Sequence, residues 1–145
     1  MGSEDSSGVT RRIAIKSVAG GAAVAAMGPT AVTGTDHVDA TVNITNVGAS
    51  AWEVTAVSGS DVSAATGVDN PEITFNATGS RYQFNNGGFP NHPLEFRDGS
   101  GNALLSQRNS GTFNGDSAVN WVDNGDTVEF TLTSEFAAEM TEYRC

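Results

Sequence analysis

From Val38 onward, apolar and polar positions alternate. Val38, Ala40, Val42 and Ile44 are separated by polar neighbours, the period of a strand with one buried face. Asn46-Val47-Gly48-Ala49-Ser50 supplies a turn, and alternation resumes over 52–57. A loop rich in Ser, Gly and Asp runs to Asn70-Pro71. Strands are then predicted over 72–76 and 81–84, joined across Ala77-Thr78-Gly79-Ser80. A Gly-rich loop over 85–90 leads to His92, Leu94 and Phe96 mark a short strand, and 103–106 another. Residues 119–122 precede the turn signal Asp123-Asn124-Gly125-Asp126. The clearest strand is 127–133, with Val128, Phe130 and Leu132 on its inner face. Residues 134–140 carry a helical spacing instead: Ser134 is placed to cap, Glu135 sits at the positive end, and Phe136 and Met140 share a face. The chain then re-enters a strand at Tyr143. About eight short strands with turns every 8–12 residues predict an all-β Greek-key sandwich with one short helix near the C-terminus.

The first thirty-five residues have a different pattern. Thr10-Arg11-Arg12-Ile13-Ala14-Ile15-Lys16 is followed by an Ala/Gly-rich, weakly apolar run ending at Gly28-Pro29. Paired arginines, nearby apolar residues, a lysine and such a run resemble a twin-arginine export signal. The run is short and poor in leucine, so no stable membrane span is expected once the signal is cleaved. The expected organisation is residues 1–35 as signal and leader and 36–145 as one domain, exported to the cell surface or outside. The competing reading of the leader is an amphipathic helix packed on the domain.

Charge narrows the partners. The formal net charge is −10. Past the leader only Arg81, Arg97, Arg108 and Arg144 oppose fifteen acidic residues, and no lysine remains. Such a domain does not hold nucleic acid by its phosphates. Self-repulsion favours a soluble monomer, and abundant acidic and small residues suit a high-salt setting. The single cysteine rules out an internal disulfide framework.

That cysteine is Cys145, in Thr141-Glu142-Tyr143-Arg144-Cys145, where the sequence ends; the residue that looks placed to meet it is His92, in Asn91-His92-Pro93-Leu94-Glu95-Phe96. Alone, each has a plainer reading: a loop histidine before a proline, and a small apolar side chain. With Asp69-Asn70-Pro71, Arg81-Tyr82-Gln83-Phe84-Asn85, Leu104-Leu105-Ser106-Gln107 and Val119-Asn120-Trp121, they make the chain resemble the cupredoxins, above all the small blue copper proteins of halophilic archaea. The resemblance covers roughly 52–145. It implies a cupredoxin-like Greek-key β-sandwich and a type 1 copper site, with His92 and Cys145 as ligands and Tyr143 as the aromatic two residues before the cysteine. In that family a second His and a Met follow within several residues. This sequence has none after Cys145, so the implied site is incomplete, as is the strand that would follow it. The chemistry explains the residue types: a thiolate and two imidazoles make a trigonal copper site, and a distant Met is the weak axial ligand. Phe89, Pro90, Leu94 and Phe96 are expected to cover the site and tune it.

Two functions follow. One is an exported one-electron carrier with an unknown redox partner, or a truncated copy that binds copper poorly. The other is a metal-free β-sandwich serving as a surface binding or interaction module. An enzyme is not expected: copper oxidases and nitrite reductases of this superfamily need further His clusters, and the chain has only His37 and His92. His37, beside Asp36 and Asp39, reads as a surface histidine among acids. Asp116, Asp123 and Asp126 read as turn residues. Asn43-Ile44-Thr45 and Asn76-Ala77-Thr78 match the short N-glycosylation pattern.

Overall fold

The computed structural model describes residues 37–49, 51–108 and 110–144, and the backbone of 11–15. The leader at 1–10 and 16–36 and Cys145 lie outside the described residues. Among the described residues, eleven strands and one helix follow in chain order: β1 (Arg11–Ile15), β2 (Ala40–Val47), β3 (Ala51–Ser58), β4 (Val62–Ser63), β5 (Ile73–Phe75), β6 (Arg81–Asn86), β7 (Glu95–Arg97), β8 (Ala103–Ser106), β9 (Val122–Asp123), β10 (Thr127–Thr131), α1 (Ser134–Glu139) and β11 (Glu142–Arg144). The fold is all-β.

Two sheets divide these strands. A five-stranded sheet has the order β3-β2-β6-β10-β9, and a six-stranded sheet the order β4-β5-β1-β11-β7-β8. Hairpin β2–β3 is antiparallel, with a register shift between Asn43 and Ile44. β6 lies parallel to β2 on one side and antiparallel to β10 on the other. The chain crosses between sheets repeatedly. It leaves the first after β3, returns for β6, crosses for β7 and β8, returns for β9 and β10, and crosses again through α1 to β11. The strands predicted on either side of residues 77–80 are therefore an arch between sheets, not a hairpin.

The core lies where the inner faces meet. In β2, Ala40, Val42 and Ile44 are buried as the alternation requires, and in β10 and just past it Val128, Phe130 and Leu132 are fully covered. Phe130 holds the centre. Its ring lies 5.9 Å from Tyr82, 5.9 Å from Phe84, 5.2 Å from Phe96, 5.6 Å from Phe136 and 6.3 Å from Phe75. Rings from both sheets and the helix thus share one cluster at separations favourable for edge and offset contacts. Trp52 is also fully buried, and its indole N–H finds no acceptor among the described residues.

Several local details differ from the pattern. The helix cap is Thr133, one residue before the predicted Ser134, and its Oγ1 accepts from the Phe136 N–H at 3.1 Å. Of residues 119–122, ahead of the turn signal, only Val122 is in a strand, the two-residue β9. Asn120 takes a positive φ of 52°, and the N–H groups of Val119 and Asn120 both donate to the Asp116 carbonyl, so 116–120 is a turn. The two-residue β4 was not predicted, nor was β1. β1 takes five residues from the segment read as leader and lies parallel to β5 and antiparallel to β11. No described helix is long and apolar enough to cross a membrane.

Candidate functional site

His92 sits in the loop between β6 and β7, half-buried at one end of the molecule. The loop is held from beneath by Asn86, the last residue of β6 and wholly buried. The Asn86 amide donates to the His92 carbonyl at 2.8 Å and to Gln107 Oε1 at 3.0 Å, while its Oδ1 accepts from the Gly88 N–H at 2.8 Å. A buried amide with both ends matched fixes local geometry, because a lost partner costs a full desolvation penalty. The His92 N–H closes the loop on the Gly88 carbonyl at 2.8 Å. Gly88 lies close to its neighbours: a Cβ there would lie 2.5 Å from Asn46 Oδ1 and 3.3 Å from the His92 Cβ, so the Asn46 side chain would have to shift. The Phe89–Pro90 peptide is cis.

Gln107 ties three loops together. Its Oε1 accepts from the Leu94 N–H at 2.9 Å as well as from Asn86, and its Nε2 donates to Asp123 Oδ1 at 3.2 Å and to the Gly125 carbonyl. The β6–β7 loop, the end of β8 and the β9–β10 turn thus meet at the His92 end. Asn86 and Gln107 were missed as site-builders. Gln107 was visible only as part of the Leu104-Leu105-Ser106-Gln107 motif, and an isolated asparagine at a strand end carries no readable signal. Beside them lies an open groove of about 500 Å³ lined by Phe89, Pro90, Asn91, Pro93, Gln107 and Arg108.

The β11 register bears on Cys145. β11 runs antiparallel to β7, pairing Glu142 with Arg97, Tyr143 with Phe96 and Arg144 with Glu95. Glu95 follows His92 by three residues, so Arg144, the last described residue, emerges at the His92 end. Cys145 itself lies outside the described residues. Of the four residues expected to cover the site, Leu94 and Phe96 are buried, and Phe96 belongs to the aromatic cluster around Phe130. Phe89 and Pro90 border the groove.

The other candidates have ordinary roles. His37 lies before β2, at the opposite end from His92, with its exposed Nε2 3.0 Å from Asp39 Oδ1. Asp116 Oδ1 accepts from the Ala118 N–H and Asp123 Oδ1 from the Gly125 N–H, the turn roles their positions suggested. Asn43 Oδ1 accepts from the Asn85 amide at 2.7 Å, and the Asn76 amide donates to the Ser60 carbonyl at 3.2 Å. Among the described residues no group of three His, Cys, Asp or Glu side chains is placed to hold a metal ion.

Electrostatics are concentrated elsewhere. Glu95, buried, meets Arg97 Nη2 at 2.7 Å and Nε at 2.8 Å through one oxygen and accepts from Ser106 Oγ at 2.9 Å through the other. Burial, reinforced by the nearby Asp61 charge, pushes the Tyr82 phenol far above its ordinary value of 10.0. The exposed Asp98 carboxyl is lowered by the Asn102 N–H, with the Asn102 side-chain amide and the Ser100 N–H adding to it. The chain matches no protein-family model, no curated protein and no solved structure.

Proposed function

We propose that this chain carries a cupredoxin-like Greek-key domain of an exported, one-electron copper protein, with the metal end formed by the His92 loop and the end of β11. The observation that supports this reading is the β7–β11 register, which brings Arg144 opposite Glu95 and so aims the chain toward the loop holding His92. A type 1 centre takes three strong donors, a thiolate and two imidazoles. The described residues provide one imidazole at this end, and Cys145 would provide the thiolate, so the residues present fit two donors and not a full set. Copper bound there would supply a one-electron couple. What the chain contributes is a buried Asn86–Gln107 anchor that holds the histidine loop in one conformation.

Copper titration of the folded full chain tests this. The expected result is weak Cu(II) binding with a visible thiolate-to-copper absorption, abolished in Cys145→Ser and in His92→Ala. Uncoloured wild-type protein under saturating copper would remove the copper reading. It would leave the alternative reading, a metal-free interaction module.

The export reading rests on Arg11-Arg12, and the same residues open β1, so signal and strand draw on one segment. The intact mass of the protein from its native host tests the leader. Loss of residues 1–35 supports export with cleavage, and retention of Arg11–Ile15 assigns that segment to the folded domain.

A further inference from the structure

β5 and β11 are not bonded to each other; β1 lies between them and joins β4-β5 to β11-β7-β8. Without β1 the six-stranded sheet has a gap one strand wide. The walls of that gap are well formed. Ile73 and Phe75 on one side and Tyr143 on the other are fully buried core residues. Phe75 packs on Tyr82 and Phe84, and Phe96, the partner of Tyr143 on β7, packs on Phe84 and Phe130. The Tyr143 hydroxyl also donates to the Pro71 carbonyl at 2.6 Å, linking the two walls without involving β1. The frame is therefore fixed by the shared core, while the strand that fills it comes from a remote segment tethered through residues 16–39.

The register says what fits the gap. Position 11 lies opposite Tyr143 and position 12 opposite Glu142, while positions 13 and 15 lie opposite the core residues Ile73 and Phe75. The occupant thus runs parallel to β5 and antiparallel to β11, with isoleucine opposite Ile73 and Phe75, Arg11 opposite Tyr143 and Arg12 opposite Glu142. It also brings two of the chain's seven basic residues to a strongly acidic molecule.

We propose that the β5–β11 gap is a strand-acceptor site and that copies of this chain exchange residues 11–15 through it, each seating its Arg11–Ile15 strand in the other. The second copy is the occupant because it carries a strand already matched to the gap in register, with Ile13 and Ile15 opposite Ile73 and Phe75 and Arg12 opposite Glu142. It needs no new contacts, only exchange of identical ones. Covalent linkage favours the chain's own strand at low protein concentration, since a linked segment meets its site at an effective concentration on the order of mM. Exchange therefore appears when the chain folds at comparable concentration. The inference does not depend on copper, and it concerns the chain that retains residues 11–15.

The test refolds the full chain from denaturant over a range of protein concentrations and measures mass by light scattering. The dimer fraction is expected to rise with refolding concentration. Excess free peptide of sequence Thr10 to Lys16 should convert the dimer to monomer with one peptide per chain. Ala14→Pro in the full chain puts a proline into the three-residue ladder with β5, opposite Thr74, so this variant should form no dimer. It should bind the peptide at least tenfold more tightly than wild type, because its own strand no longer competes. If Ala14→Pro does not fold, hydrogen exchange on the wild type decides: excess peptide must accelerate exchange at residues 11–15. Three results overturn the proposal: a wild type that stays monomeric at every concentration, an Ala14→Pro variant that dimerises like wild type, or exchange at 11–15 that peptide leaves unchanged.

Discussion

The two sheets of this molecule are stabilised differently. The five-stranded sheet is built around strands of five to eight residues whose alternation is plain, and its outer face carries a polar clamp. Arg81 begins β6 and is almost wholly buried. Its Nε meets Glu129 at 3.2 Å, Nη1 donates to Thr131 Oγ1 at 3.1 Å, and Nη2 donates to the Asn120 carbonyl at 2.9 Å. The Arg81 N–H also donates to Asp39 Oδ2 at 2.8 Å, and the Asp39 N–H returns to the Arg81 carbonyl. Strand, neighbouring strand and the 116–120 turn are thus fastened by one residue. The six-stranded sheet has strands of two to five residues and depends on β1 to join its halves. Long strands pair stably by themselves, whereas a sheet of short strands depends on the core beneath it.

If that contrast holds, damage to the shared core affects both sheets together. Phe130→Ala removes the ring that touches β5, β6, β7 and α1, and should cost about 3–5 kcal/mol. Urea unfolding monitored by tryptophan fluorescence and by amide exchange should give one lowered midpoint for both sheets. Separate midpoints would show that the sheets unfold independently.

Arg81→Ala tests the clamp alone. It strips Glu129 of its partner in a largely buried setting and leaves the Asn120 carbonyl unmatched, and should cost about 3 kcal/mol. Amides in 116–123 and β10 should exchange faster, with the β5 and β11 amides following only the global change. Equal acceleration in the six-stranded sheet would mean that the clamp is not local.

These residues also show what could be read from the sequence. The strands found by alternation include β2, β3, β6 and β10, whose inner and outer faces differ sharply in polarity; β10 is one, with Val128 and Phe130 inside and Thr127, Glu129 and Thr131 outside. β4, of two residues, is too short for a period to exist. β1 was hidden for another reason: paired arginines before apolar residues also fit an export signal, and only pairing to strands distant in sequence shows the segment as sheet. The helix was found and its cap misplaced by one, because Thr133 and Ser134 are chemically equivalent candidates and backbone geometry chooses between them. At the candidate site, His92 was legible as chemistry. Asn86 was not, since its importance comes from burial, which local sequence does not report.

A smaller effect comes from Tyr82, on the inner face of β6. Its hydroxyl lies 2.7 Å from the Ala77 carbonyl and 3.1 Å from the Asp61 carbonyl. Tyr82→Phe should cost about 1–2 kcal/mol at neutral pH. The pH dependence has a definite sign. The folded-state value is raised, so the folded protein keeps a proton that the unfolded chain releases above its ordinary value of 10.0. The contribution is complete below that pH and declines as pH rises beyond it. Wild-type stability should therefore fall above about pH 10, with a shallower fall in Tyr82→Phe. Parallel curves for the two proteins would contradict the assignment.

The smallest expected change isolates the weaker sheet. Tyr143 belongs to β11, and its hydroxyl donates to the Pro71 carbonyl at 2.6 Å, two residues before β5. Tyr143→Phe keeps the ring in the core and removes only this bond, so the global cost should be about 1 kcal/mol. The local consequence should be larger than that figure suggests, because the bond joins two strands that otherwise communicate through β1 and the core. Hydrogen exchange at β5 and β11 should accelerate beyond the global shift, while β2 and β6 follow it. Uniform acceleration would mean that the walls are held by the aromatic cluster alone. The Tyr143–Pro71 bond would then be an accessory of the sheet, and the five- and six-stranded sheets would differ in strand length but not in how firmly they are held.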